Sequence, residues 1–197
     1  CGPSGGACAA RRTVHAPSGT TWEAEPVTSA LVLTGAPGAG KSSVLDALTT
    51  LLELEGVEHG AIESEQLARG FPPLANAVLA EALARTLAVQ RRAGRQLLLV
   101  AFTAETAGEL RSVVRATGAE RVLVACLAAP AQVLAARLQD REPDRWPGKA
   151  GLIAHAHVLA SVAPALAGID ITIDTDGAAP DAVAHRLLSA MRDSGLL

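Results

Sequence analysis

Beyond about Ala30 the chain repeats one hydrophobic rhythm. A short apolar run rich in β-branched residues gives way to a polar turn, then to a longer stretch with helical spacing that closes on glycine. The apolar runs are Leu31–Thr34, Val57–Ile62, Gln96–Phe102, Arg121–Leu127 and Ile169–Asp174, which predicts five strands. Gly56, Gly94, Gly118 and Gly168 each stand just before the next run, where a helix ending in a left-handed residue favours glycine. Thr106 and Glu109 have capping-box spacing, and Pro180 suits the first turn of a last helix running to about Met191. Strands apolar along nearly their whole length are covered on both faces, and their alternation with helices implies parallel crossovers. The pattern predicts an α/β fold: a three-layer, doubly wound, parallel five-stranded sheet.

Before that rhythm begins, residues 1–29 are rich in Gly, Ser, Thr, Pro and Ala without sustained periodicity. They read as a flexible N-terminal arm in front of a domain spanning 30–197, with Trp22 the one residue able to pin the arm down and Arg11 and Arg12 either a substrate-touching pair or, as is commoner in a flexible segment, solvated. A chain of 197 residues suits one such domain and one site. The composition is 49% hydrophobic but only 2% aromatic, so Leu, Val, Ile and Ala must fill the core.

Charge and cysteine narrow the classes of partner. A formal net charge of −3 argues against a broad nucleic-acid surface, which needs clustered cations. No run approaches the roughly 20 apolar residues of a membrane span, and no charged start precedes an apolar leader segment, so no membrane partner is expected. Cys1, Cys8 and Cys126 lack metal-ligand spacing, and Cys126 lies in an apolar run, as a buried free thiol does. The expectation is a reduced, cytoplasmic setting; monomer and homodimer both stay open.

The chemistry concentrates in Gly35-Ala36-Pro37-Gly38-Ala39-Gly40-Lys41-Ser42, which matches G-x-x-x-x-G-K-[ST] between an apolar strand and the helical run Ser43–Leu54. Glycines let peptide N–H groups approach phosphate oxygens, and the helix start adds its positive dipole end. The whole segment, with the following Ser43, is the expected cradle for ATP or another purine triphosphate. Lys41 places a cation on the β and γ phosphates, and Ser42 offers an oxygen to Mg²⁺.

Three weaker features join this motif: an acidic cluster Glu63-Ser64-Glu65 after the second strand, the run Arg137 to Arg145 after the fourth, and Ile171-Thr172-Ile173-Asp174-Thr175 at the end of the fifth. With them, most of residues 30–193 resembles the small-molecule P-loop kinases related to adenylylsulfate kinase, chloramphenicol phosphotransferase, gluconate kinase and shikimate kinase. The resemblance implies the sheet order of adenylate-kinase-type proteins, an ATP- and Mg²⁺-dependent phosphotransferase, and a small-molecule acceptor bearing a hydroxyl. It makes Glu63 or Glu65 the base that activates that hydroxyl, although the family's usual residue there is Asp. It makes a lid of about 141–149, in which Arg141 and Arg145 close over the phosphates, with Arg137 on the same helix face as Arg141 and Thr175 beside the nucleotide. It also places the acceptor pocket between the second and third strands, near Arg69, Phe71, Asn76 and Arg85, with Trp146 in the lid.

Each feature has a plainer reading. Glu63 and Glu65 can be solvated helix-start residues, the lid charges a surface ion-pair patch, and Phe71 a packing residue. The third strand ends on Thr103, Glu105 and Thr106 rather than an Asp, which weakens a motor- or switch-type NTPase, and Glu105 belongs with the first turn of the next helix. His155 and His157, two apart on a helix, make a poor metal pair, and His59 and His185 read as surface residues. The rival to a kinase is a nucleotide-binding regulatory or accessory ATPase module without a small-molecule acceptor.

Overall fold

The computed structural model describes residues 28–72 and 74–197, so the arm with Trp22, Arg11, Arg12, Cys1 and Cys8 lies outside the described residues. The strands are β1 (Ser29–Gly35), β2 (His59–Glu63), β3 (Leu97–Ala101), β4 (Arg121–Ala128) and β5 (Ile171–Asp174). Between them run α1 (Lys41–Leu54), α2 (Ser64–Leu67), α3 (Asn76–Arg92), α4 (Ala107–Thr117), α5 (Ala131–Arg141) and α6 (Lys149–Val162), with α7 (Pro180–Asp193) closing the chain. All pairings are parallel and the order is β2-β3-β1-β4-β5. This is the sheet that the hydrophobic rhythm and the resemblance predict.

β1 is buried along its whole length and divides the core. Leu31 and Leu33 pack into one layer with Leu48 and Leu52 of α1, Leu134 and Leu138 of α5 and Leu187 of α7. Ala30 and Val32 point to the other layer, with Leu83 and Leu87 of α3 and Leu110 of α4. The period of two along a strand makes this division. All of the largest fully buried side chains are leucines, as a chain with so few rings requires. The order also puts the ends of β1, β3 and β4 side by side, where chain direction across the sheet reverses and ligand crevices open.

The element ends depart from the apolar runs for local reasons. β1 starts at Ser29, so the arm ends earlier than the sequence boundary suggests; the Thr28 carbonyl already accepts from Glu120 N and Arg121 N. Val57 is not in β2, because its N–H is bonded to Leu52 O in the turn that ends α1. Ile169 is not in β5: its N–H goes to Leu166 O, while Asp170 exchanges bonds with the Val124 backbone through its N–H and its carboxylate. α1 begins at Lys41, two residues before the predicted run, and α7 continues to Asp193. Thr106 does cap α4, accepting from Glu109 N at 3.2 Å. The Glu109 carboxylate reaches Glu105 N and Asn76 Nδ2, both at 2.9 Å, so Glu105 stands before the helix and not in its first turn.

α5 stops at Arg141 because Glu142, preceding Pro143, is held extended with φ −86° and ψ 135°. The segment expected to act as a lid is therefore the loop 142–148, and Lys149 is the first residue of α6. Lys149 is buried, and its Nζ donates to Gln139 O and Glu142 O, both at 2.7 Å, and to Asp144 Oδ1 at 2.8 Å. Asp144 is itself 92% exposed, so solvent screens the ion pair and the two carbonyl bonds dominate. Lys149→Met leaves those carbonyls without their donor. The expected loss is about 1–3 kcal/mol of stability, a fall in melting temperature of several degrees, which calorimetry measures. The Lys149 hydrogen bond and charge hold the Asp144 carboxyl below its ordinary range. A depressed carboxylate stabilises the fold above its unfolded pKa, and this contribution fades as pH falls through the folded value; the Asp144→Asn variant should lose only that acid-side slope.

No helix among the described residues is long and apolar enough to cross a membrane.

Candidate active site

The loop from Gly35 to Gly40 closes β1 against α1. Gly35 has φ 145°, and a Cβ there would lie 2.4 Å from Leu127 O on β4, so only glycine lets the loop pass so close to the neighbouring strand. Gly40 is the N-cap of α1 at φ 92°, and no side chain caps that helix or places an acid in its first turn. The N–H groups of the first helical turn, Lys41, Ser42 and Ser43 among them, lack intrahelical acceptors by geometry and are open to an anion.

Lys41 is buried, with Nζ donating to Gly35 O at 3.0 Å and Ala36 O at 3.3 Å. Burial pushes its pKa below the ordinary value; Glu65 opposes that shift, Arg141 adds to it, and Glu63 opposes it more weakly. The loop thus stores a partly desolvated cation among carbonyls, which suits exchange onto phosphate oxygens. Cys126, in register with Thr34 of β1, is a buried free thiol whose pKa burial raises to about 11, so it is inert.

A cleft of about 370 Å³ brings Lys41 and Ser42 together with Glu63, Glu65, Arg141 and Trp146. Its carboxylates are Glu63 and Glu65, at and just after the end of β2, and Glu142 of the loop after α5, while β3 contributes only Ala101. Glu63 closes β2 and Glu65 lies in the first turn of α2. Thr103 Oγ1 donates to Glu65 Oε1 at 2.8 Å, whereas the bond from Gln66 Nε2 to Glu63 is long at 3.5 Å. Thr103 stands where the sequence shows only a missing Asp; its link to Glu65 depends on β2 pairing with β3, which spacing along the chain does not reveal.

On the other side of the loop, a second cleft of about 200 Å³ shares Gly40 and Ser43 with the first and is lined by Ala39, Arg137, Thr175 and Pro180. Arg137 donates to Gly38 O at 3.2 Å, Thr175 Oγ1 at 3.1 Å and Thr175 O at 2.6 Å, tying the loop to the turn after β5. Arg137 and Arg141 leave one helix for opposite sides of the phosphate loop, one cleft each. The paired clefts, the uncapped helix start and the buried Lys41 fit a nucleoside triphosphate, with the Ser42 hydroxyl the candidate Mg²⁺ ligand.

Several expected residues are elsewhere. Arg145 is exposed, lines neither cleft and has no ionic or hydrogen-bonding partner among the described residues. Arg141 donates to the neighbouring Glu142 at 2.7 Å while lining the cleft, so the ion-pair reading of the lid is partly realised. Phe71 is 97% exposed, which removes both the packing reading and a place in the cleft. Arg69 is exposed, Arg85 pairs with Glu81 at 2.6 Å on the surface of α3, and Asn76 is bonded to Glu109. His155 Nε2 meets Glu105 at 3.1 Å instead of a metal, and no group of His, Cys, Asp or Glu among the described residues is arranged to hold one.

Comparison with known proteins agrees with this fold. The chain belongs to the AAA domain family, whose model matches residues 31–165. Its fold is shared with small P-loop kinases of adenylate-kinase type. The APS kinase CysC of Mycobacterium tuberculosis, solved with AMPPNP and APS, superposes with a TM-score of 0.62 at 20% identity, covering 85% of this chain and 99% of that one. Shikimate kinase from Acinetobacter baumannii, solved with shikimate, gives 0.55 at 17% identity over 86% and 96% of the two chains. A gluconokinase from Sinorhizobium meliloti 1021 gives 0.52 at 20% over 84% and 95%. At these identities the likeness is one of fold. No curated protein matches the chain by sequence.

Proposed function

We propose that the protein is an ATP- and Mg²⁺-dependent phosphotransferase that moves the γ-phosphate of ATP to a hydroxyl of a small molecule. One observation carries this reading: a single cleft gathers the phosphate loop with Lys41 and Ser42, the carboxylates of Glu63 and Glu65 at and just after the end of β2, and Arg141 at the edge of the expected lid. A binding module needs the first of these, whereas a carboxylate beside the loop is also what removal of a proton from an acceptor hydroxyl requires.

Mg-ATP supplies the electrophilic phosphorus and the leaving group. Lys41 exchanges its bonds to Gly35 O and Ala36 O for phosphate oxygens, and Ser42 serves the metal. Glu65 is the preferred base. It acts on Lys41 more strongly than Glu63 does, and Thr103 fixes one of its oxygens, leaving the other to take the hydroxyl proton. Arg141 releases Glu142 and moves its charge to the transferring group, so that positioning and charge stabilisation supply most of the rate. Arg137 and Thr175 shape the base side of the nucleotide site.

The test is ³¹P NMR of Mg-ATP with the protein and a panel of hydroxyl compounds. A new phosphoester signal is expected; tight ATP binding without turnover across the panel would instead favour the regulatory module. Arg137→Ala removes the brace between Gly38 and Thr175, and the dissociation constant for ATP should rise about tenfold, equivalent to about 1.4 kcal/mol, by calorimetric titration. An unchanged constant would remove Arg137 from the nucleotide site.

A further inference from the structure

A third cavity, of about 400 Å³, lies between α3 and α4 and is bounded by Ser64 and Phe102. Those two residues place it: Ser64 stands between Glu63 and Glu65, and Phe102 precedes the Thr103 that holds Glu65. The cavity thus adjoins the carboxylate proposed as base, and its size falls in the ordinary range for small-molecule sites.

Its chemistry is selective. Leu79, Leu83 and Val113 supply the greasy part of the wall with Phe102, and no arginine or lysine lines it among the described residues. The one charged residue in the wall is Glu109, an acid. Arg85, on the same helix, is turned outward to Glu81. The polar side chains from α3, α4 and its cap each make one bond within the protein: Asn76 with Glu109 Oε1, Glu109 Oε2 with Glu105 N, Thr106 with Glu109 N, and Ser112 with Gly108 O. An anionic acceptor would be stripped of water with no cation to meet it, and a polyol would exchange water for a wall that is hydrocarbon apart from Ser64, Asn76, Thr106, Glu109 and Ser112.

We infer, building on the phosphotransferase reading, that this cavity seats the body of the acceptor and that the acceptor is a neutral, largely apolar alcohol, not a carboxylate, sulfate ester or sugar. Its hydroxyl reaches the cleft past Ser64 while its hydrocarbon part fills the space between Leu79, Leu83 and Val113.

The test uses two molecules of one shape that differ in charge, 4-isopropylbenzyl alcohol and 4-(hydroxymethyl)benzoate, titrated into the full chain by ligand-observed NMR. Binding is read separately from transfer, so the kinase reading stands or falls on the phosphoester panel while the nature of the occupant is decided by these probes. The neutral probe should bind at least about tenfold more tightly, since an unpaired carboxylate loses its hydration there. Ala80→Trp, which fills the cavity from a half-buried helix position, should abolish neutral binding while ATP titration stays unchanged. Ala77→Arg, which puts a cation in the wall, should tighten the benzoate about tenfold and leave the neutral probe nearly unaffected. Equal or reversed affinities, binding of neither probe, or indifference of the benzoate to Ala77→Arg overturns the inference. Neutral binding that survives Ala80→Trp in a folded variant does the same.

Discussion

Lys41→Met is expected to lower kcat by at least about 10²–10³-fold and, unusually for a buried substitution, to leave the nucleotide-free protein no less stable than the wild type. The first part follows from the loss of the one buried cation in the phosphate loop. The second follows from the sign of its pKa shift. Burial lowers the folded pKa of Lys41, so at neutral pH the fold bears a penalty for keeping the ammonium charged, and this penalty disappears only as pH rises toward the unfolded value. Methionine fills a similar volume without that charge, which offsets the loss of donors to Gly35 O and Ala36 O. Thermal melts should therefore show an unchanged or higher midpoint without ATP, and a much smaller rise on adding it. Wild-type protein at a hundredfold excess of ATP over its dissociation constant gains about 2.7 kcal/mol. A variant that melts well below wild type without nucleotide would mean that the lysine is a structural residue.

Glu65→Gln should cost about 10²–10⁴-fold in kcat with little change in the apparent affinity for ATP, because the carboxylate is asked to take a proton and not to hold the nucleotide. The amide keeps size and can still accept from Thr103, so the fold is not at stake. Glu63→Gln should cost less, since Glu63 has only the long bond from Gln66 and a weaker influence on Lys41. Steady-state kinetics on the two variants, with ATP affinity measured in parallel, decide between the carboxylates. A larger loss at Glu63 would exchange their roles.

What the sequence made legible was whatever depends on neighbours along the chain. The P-loop is a contiguous motif with a strand before it and a helix after, and Thr106 and Glu109 are one helical turn apart; such features are written locally. The five strands were legible because each is a short apolar run, although their ends moved where Val57 N–H and Ile169 N–H were claimed by turns. The less legible part of the site depends on which strands pair. That Thr103 meets Glu65 across 38 residues, and Arg137 meets Thr175 across the same interval, follows from sheet order. Arg145 misled for the opposite reason. Its neighbours in sequence looked like a lid, but it extends into solvent while Lys149, assigned no role by the sequence reading, holds the loop from beneath.

That anchoring bears on how the enzyme would cycle. A loop that must be ordered afresh at every turnover gives up about 1–2 kcal/mol of backbone freedom per residue. Here the segment between α5 and α6 is already fastened from within by one ammonium to both the outgoing helix and the loop itself. Closure over a ligand would then be a tilt of a helical hairpin with a stiff tip. The entropy of the tip is removed once, when the chain folds, and ligand affinity is relieved of it thereafter.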